Sequence, residues 1–529
     1  MDEGTLVKKF IEADMQLTEE AFETLRQRPD ADAVVDHLLE VLKKSQAGPF
    51  TVTAGMISKV LEGKLLEPQE AAVAPPKPAE QVPEPKRLSE VSYTKFKPLA
   101  AEHESKVRVL KDITGRSYSE GNIKDFVKLF NNRFEKISRI LRKRAELGDT
   151  VSIGSLRTRA DREQVKVVGI VSSKKRSTSG HLVLDIEDPT GTVSAWAFKP
   201  REGQMRSGEL FSKVDNVAPD EVIGVLGSVR SGDRYPRIFV NDVVWPDLPV
   251  KHERQIPSEP CCAVQISDLH VGSDKFMEDL FMKFVKWLRG EVGDEKQKEM
   301  AGKVKYILIA GDVVDGIGIY PEQLEELLIP DIFRQYDVAA KLLAEIPDYI
   351  TLVIAPGNHD AVRPLEPQPA IPKDFAGGLY NLNSKMVGNP ALVSLEGVNF
   401  QLYHGRSFDD LIGAIPKMSR QRPAEMMIKL LQKRHVAPIY GGRVALSPEQ
   451  EDIMVIDEVP DVFHCGHVHV YDCDRYREVW VVNSGTFQGK TEYMKKLGVE
   501  PTPGFVSILD LQTNHLSTLD IWNNKLLEG

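Results

Sequence analysis

Three apolar runs, Cys262–Ile266, Val304–Ala310 and Tyr349–Ala355, each break off into a polar cluster, and stretches of helical periodicity, Phe276–Arg289 and Ile332–Ala344, lie between them. These runs are strand-like, and their alternation with helices predicts an α/β layer fold. In such a sheet the loops that leave the strands gather along one edge, so side chains distant in sequence meet there.

The clusters are Asp268-Leu269-His270, Gly311-Asp312, Gly357-Asn358-His359-Asp360, His404-Gly405 and Gly466-His467-Val468-His469. Any one of them reads as a turn or a helix cap. Five in succession at strand ends read as a metal-ligand set. Residues two apart in an extended segment point the same way, so Asp268 with His270, and His467 with His469, are each expected to present two ligands together. Carboxylate, imidazole and amide oxygen suit Mn²⁺ first, with Fe²⁺, Zn²⁺ or Mg²⁺ as further choices, and the lack of Cys at these positions disfavours a thiolate site. His464, within an apolar run, reads as packing; His435 and His515 have no motif context and are assigned no role.

The preceding half has a different texture. Leu6, Phe10, Ala21, Phe22, Leu25, Val34, Val35, Leu38, Leu39 and Leu42 recur at helical spacing and predict a small α-helical N-terminal domain over 1–64. A Pro-rich linker is expected over 65–104, where Pro68, Pro75, Pro76, Pro78, Pro83 and Pro85 fall and few large apolar groups occur. Residues 105–149 form a basic amphipathic segment, helical in its later part, with Arg139, Arg142, Lys143 and Arg144 as a solvated face. Over 150–250, short alternating runs at Val165–Val171, His181–Ile186, Thr192–Ala197, Val222–Leu226 and Arg237–Val244 suit a small β-barrel of the oligonucleotide-binding type. Lys174-Lys175-Arg176 is placed between its first two strands, open to solvent or to nucleic acid.

A net charge of −10 excludes a uniformly basic surface, so nucleic-acid contact has to come from local patches or a partner. The four cysteines show no CxxC pair and read as reduced, packed thiols. No apolar run of about 18 residues occurs, and Met1-Asp2-Glu3-Gly4 lacks the pattern of a secretion signal, so a cytoplasmic protein without membrane contact is expected.

The succession Asp-x-His, Gly-Asp, Gly-Asn-His-Asp, His, Gly-His-x-His resembles the calcineurin-like metallophosphoesterase superfamily over 255–529. Helical head, Pro-rich linker, barrel with Glu187-Asp188-Pro189-Thr190-Gly191 and phosphodiesterase together resemble the small subunits of archaeal family D DNA polymerases. That resemblance implies a multidomain chain that ends in an α/β calcineurin-like phosphodiesterase domain with two divalent metal ions. Asp268, His270 and His469 would hold one, Asn358, His404 and His467 the other, and Asp312 would bridge them. His359 would stabilise the transition state or protonate the leaving 3′-oxygen, with Asp360 orienting its ring. The implied function is a metal-dependent 3′–5′ proofreading exonuclease carried by an accessory polymerase subunit. Its partners would be a large catalytic polymerase subunit, DNA with a single-stranded or mismatched 3′ end, and a sliding clamp. A scaffold subunit with residual metals and a free-standing DNA-repair nuclease are the alternatives. A monoester phosphatase is disfavoured, because Asp315-Gly316 and Asp360 stand where phosphoprotein phosphatases carry Arg and Glu.

Overall fold

The computed structural model describes residues 96–201, 205–231 and 236–528, with further positions among residues 9–57. It divides into two units, Met1–Lys86 and Arg87–Gly529. In the first, helices Glu19–Arg26 and Ala31–Lys44 bury Ala21, Leu25, Val34, Val35, Leu38 and Leu39, as their spacing requires. A short parallel pair, Gln16–Leu17 with Thr51–Val52, was not expected there. The rest of 1–64 and most of the linker lie outside the described residues.

The second unit contains the barrel. Its strands are Gln164–Arg176, Leu182–Asp188, Gly191–Ala197, Val222–Arg230 and Arg237–Val244. They pair in the order first, second, third, fifth, fourth, and the fourth closes on the first. Alternate residues such as Leu182, Leu184, Ile186, Val193, Ala195, Val225 and Ile238 fill the interior. Helix Met205–Asp215 lies between the third and fourth strands and has no counterpart in the pattern of the sequence. Lys174, Lys175 and Arg176 belong to the end of the first strand and do not form a free loop. Lys174 Nζ donates to Asp215 O and Ala414 O, while Lys175 and Arg176 pair with Asp185 and Asp215.

Two further sheets stack face to face. The seven-stranded one runs Ser384–Met386, Thr351–Ala355, Val304–Ala310, Cys262–Ile266, Phe505–Asp510, Leu516–Asp520, Lys525–Glu528. The six-stranded one runs Asp472–Tyr476, Val479–Asn483, Val462–Cys465, Val398–Leu402, Ala391–Leu395, Val107–Lys111. Along Val304–Ala310, Ile307 and Ile309 face helices Glu278–Leu288 and Ile332–Leu343, while Tyr306, Leu308 and Ala310 face the other sheet. Helix Pro423–Lys433 covers the outer side of the six-stranded sheet. The result is four layers, helix, sheet, sheet, helix, which explains why central strands such as Val304–Ala310 and Thr351–Ala355 are buried on both faces.

Residues 105–149 are not a separate segment. Val107–Lys111 is an edge strand of the six-stranded sheet, antiparallel to Ala391–Leu395. Helix Ile123–Leu141, capped by the Asn122 side chain on Asp125 N, then buries Leu129, Arg133, Ile137 and Leu141 at i, i+4 spacing. Ile137 and Leu141 wedge between Val168, Val222 and Val244 of the barrel and Val455 of the two-sheet domain, while Arg139, Arg142 and Lys143 are exposed as expected. The Lys433–Glu221 ion pair, 2.6 Å long with both side chains buried, fastens the barrel to helix Pro423–Lys433. Among the described residues no helix is long and apolar enough to cross a membrane.

Within the apolar stripe of helix Ile123–Leu141, Arg133 Nε donates to Asp452 at 2.7 Å, both side chains only 1% exposed, and Nη1 donates to Pro438 O. Truncating one member leaves the other buried without a counter-charge. Arg133→Ala is therefore expected to cost about 3–5 kcal/mol and lower the denaturant midpoint of this unit. An unchanged midpoint would show that the pair does not fasten the helix.

Candidate metal centre

The five polar clusters converge at one end of the two stacked sheets. Val304–Ala310 is parallel to both of its neighbours, Cys262–Ile266 and Thr351–Ala355, and Val398–Leu402 is parallel to Val462–Cys465. Asp268, Asp312, His404 and His467 each stand two residues beyond a strand, and Asn358 stands three beyond. The extended geometry expected for Asp-x-His and His-x-His is not what holds them. Asp268, His270, Asp312, His467 and His469 have φ of 53°, 54°, 52°, 71° and 59°, a left-handed conformation costly for residues with a Cβ. The chain is forced into it by backbone bonds such as Asp268 N to Gly311 O at 3.0 Å and His270 N to Asp312 O at 3.1 Å. The motif glycines have a steric reason: a Cβ on Gly357 would collide with the Asp312 carboxylate, and one on Gly466 with that of Asp268.

The tautomers follow from partners outside the cluster. His404 Nδ1 donates to Ala310 O at 2.8 Å, which turns the lone pair of Nε2 toward Asp312 Oδ2 at 3.2 Å and Asn358 Oδ1 at 3.1 Å. His270 Nδ1 donates to Asp315 Oδ1 at 2.9 Å, so its Nε2 faces His469 Nε2 at 3.0 Å, with Asp312 Oδ2 at 3.7 Å and Asp268 Oδ1 at 3.8 Å. Asp268 Oδ1 is 3.3 Å from His469 Nε2. His469 Nδ1 is buried with no hydrogen-bond partner among the described residues. Acceptors packed this closely repel one another unless a cation lies among them, and the N/O donor set fits divalent Mn, Fe or Zn. Three overlapping groups satisfy the distances: Asp268, His270 and His469; Asp268, Asp312 and His404; and His270, Asp315 and His359.

The electrostatics agree. Burial opposes ionisation of Asp268, yet the His469 and His270 rings hold its pKa well below the usual carboxylate range. Asp312 is likewise depressed, its burial outweighed by His404, His359 and His270. Conversely, burial draws His270 and His404 down, but the carboxylates raise them to about 10 and about 9. Positive charge is thus favoured at the centre of the cluster, and divalent cations would take the place of these protons.

Two expected residues sit differently. His467 lies beside the cluster, its ring 5.1 Å from that of His404, with Nε2 3.8 Å from Asp409 Oδ2. Asp360 does not orient His359. It accepts from Gly357 N at 2.9 Å and Tyr336 Oη at 3.0 Å, an anchor for the loop, and burial with Asp312 nearby raises it to about 6. His359 is instead oriented by the Asp315 backbone carbonyl, 2.7 Å from Nδ1, which leaves Nε2 on the cluster side, 4.0 Å from Asp312 Oδ2. Burial lowers its pKa. His464 bonds Ser484 Oγ at 2.7 Å inside the core, and His435 joins Asp452. Asp315 is a positioning residue that the sequence motifs do not single out: Gln323 and Gln488 fix its carboxylate, which fixes His270. Its place three residues after Asp312 is the one available signal.

The closed five-stranded barrel and the two-sheet domain beside it are each matched by a family model, and together they place the chain among proteins similar to DNA polymerase accessory subunits. The model of the DNA polymerase alpha/epsilon B-subunit family matches residues 263–473, and that of the OB-fold nucleic acid binding domain matches residues 165–244. The DNA polymerase II small subunit of Archaeoglobus fulgidus is 38% identical, covering 96% of each chain. That of Methanothermobacter thermautotrophicus is 39% identical over 96% of this chain and 97% of the relative. The chain belongs to the DNA polymerase II small subunit family of archaeal family D polymerases.

Because the Asp315 carboxylate is bonded to Nδ1 of His270 and so sets its tautomer, Asp315→Ala is expected to weaken Mn²⁺ binding about 10- to 100-fold by equilibrium dialysis. Wild-type affinity in this variant would deny Asp315 that role.

Proposed function

We propose that this subunit carries the nuclease of its polymerase: a calcineurin-like, two-metal phosphodiesterase that removes nucleotides 3′ to 5′ from single-stranded or mismatched primer ends for a separate large catalytic subunit. One observation supports this above all, the aim of His404 Nε2 and His270 Nε2, with their tautomers set from outside, at the Asp312 and Asp268 carboxylates. Asp268, His270 and His469 would hold one cation, Asn358, His404 and His467 the other, with Asp312 between. When bound, the pair of cations supplies a water activated near neutral pH and charge neutralisation for an in-line displacement.

The protein's own groups do the rest. Deep burial of Asp268, Asp312 and His404 excludes bulk water and keeps the local field strong. His359, at the more exposed edge with 14% of its side chain accessible, turns Nε2 toward Asp312, and the family resemblance assigns it the leaving 3′-oxygen. An anionic phosphodiester beside that ring raises its pKa again, which equips it to carry a proton to the leaving oxygen. The 3′ to 5′ direction comes from the family resemblance. The large subunit and the DNA come from the relatives' name as polymerase subunits and from the OB-type barrel. Sequence similarity along 96% of a polymerase subunit favours this over a free-standing repair nuclease.

His359→Ala is expected to keep its metals and its assembly with the large subunit while exonuclease turnover drops about 10²- to 10⁴-fold. Asp312→Ala is expected to lose metal together with activity. Metal content, subunit assembly and degradation of a mismatched primer, measured on the same preparations, check this. Unchanged degradation by His359→Ala refutes the assigned role, and a metal-loaded wild-type complex without nuclease activity returns the protein to a scaffold.

A further inference from the structure

Ring contacts continue outward from the cluster in two directions. On the His270 side, the His270 and His359 centroids are 4.6 Å apart, His359 and Tyr320 6.2 Å, and Tyr320 and Tyr493 5.5 Å with their planes only 20° apart. Tyr493 is 45% exposed, and Ile319, on the same loop as Tyr320, is 37% exposed. On the His404 side, His467 leads to Asp409, which binds Arg420 and lies 3.7 Å from the Nη1 of Arg443. Two thirds of the Arg443 side chain (66%) is accessible. The cluster therefore has an aromatic rim at one end and a guanidinium rim at the other.

The aromatic rim is held in place. Tyr320 Oη donates to Glu326 at 2.9 Å, and Gln323 ties the loop down through Ile319 N at 2.8 Å and the Asp315 carboxylate at 2.8 Å. The same Asp315 positions His270 and His359, so platform and cluster share one anchor. Tyr493 stands at the start of helix Glu492–Leu497, whose Thr491 side chain caps Met494 N.

We propose that Tyr320 and Tyr493 form a stacking platform for the unpaired terminal base of the DNA strand whose phosphodiester enters the cluster, with the exposed Arg443 taking a backbone phosphate on the His404 side. This rests on the phosphodiesterase reading and adds the source of its preference for unpaired ends. A flat aromatic surface accepts any base, because every base has a π-face, and stacking is strong enough to affect binding severalfold or more. A base within a duplex is already stacked and paired and has to give up both contacts to reach the platform; a mismatched or single-stranded end loses far less. Selection of frayed ends then needs no reading of sequence. Opposite-signed charge at the far rim favours the backbone as the second point of contact.

The test is fluorescence anisotropy on the full chain, alone and with its large subunit, using a single-stranded oligonucleotide and the same oligonucleotide made abasic over its three 3′-terminal positions. Wild type is expected to bind the base-bearing end about tenfold more tightly, Tyr493→Ala to lose that preference, and Tyr493→Phe to keep it. Equal binding of both oligonucleotides by wild type, or an undiminished preference in Tyr493→Ala, overturns the platform. So does a Tyr493→Ala protein with normal oligonucleotide affinity and weakened assembly, which would make the surface a protein interface. Cleavage with Mn²⁺ is scored separately: a wild type that discriminates between the ends and cleaves neither oligonucleotide contradicts the phosphodiesterase reading while the platform stands.

Discussion

The lone pair of His404 Nε2 aimed at the Asp312 carboxylate from 3.2 Å is the constraint around which the two-sheet domain is organised. Neither group donates when His404 keeps its Nδ1 proton on Ala310 O, so the arrangement is favourable only with positive charge among its members. The same condition recurs where His270 Nε2, its Nδ1 proton held by Asp315, faces the carboxylates of Asp268 and Asp312. Burial makes the requirement stringent, because the low-dielectric interior that weakens single ionised groups strengthens their attraction for a shared cation.

The rest of the domain keeps that unfavourable array in place. Within each sheet the loops that leave neighbouring parallel strands are pinned to one another by backbone bonds, Asp268 to Gly311 in one and Gly466 to His404 in the other. Left-handed φ at five of the site residues is strain that the surrounding ladder has to over-determine. Four apolar layers supply the rigidity, and the helix Ile123–Leu141 carries it into the barrel through Ile137 and Leu141. A site on this foundation has its geometry set before any ligand arrives, which is what pre-organised electrostatics demands.

Much of this was legible in the sequence. The five barrel strands and the strands before Asp268, Asp312 and Asn358 are marked by apolar pattern, and the candidate ligand clusters by their place at strand ends. What escaped depended on partners far away. Val107–Lys111 alternates within a charged context and is a strand only because Ala391–Leu395 lies beside it. Arg133 belongs to a basic helix by composition, and its burial is visible only once Asp452 is placed opposite. The orienting role expected of Asp360 falls to Asp315 for a related reason. Proximity in sequence suggested Asp360 as the partner of His359, but the backbone after Thr351–Ala355 turns its carboxylate toward Tyr336, and the carbonyl of Asp315 receives His359 instead.

The most direct measurement is anomalous diffraction at the manganese edge from crystals grown with Mn²⁺. Two peaks are expected, one among Asp268, His270 and His469, the other among Asn358, His404 and His467, with Asp312 touching both. No peak at the cluster, or manganese bound only outside it, would contradict a metal-dependent phosphodiesterase site in this subunit.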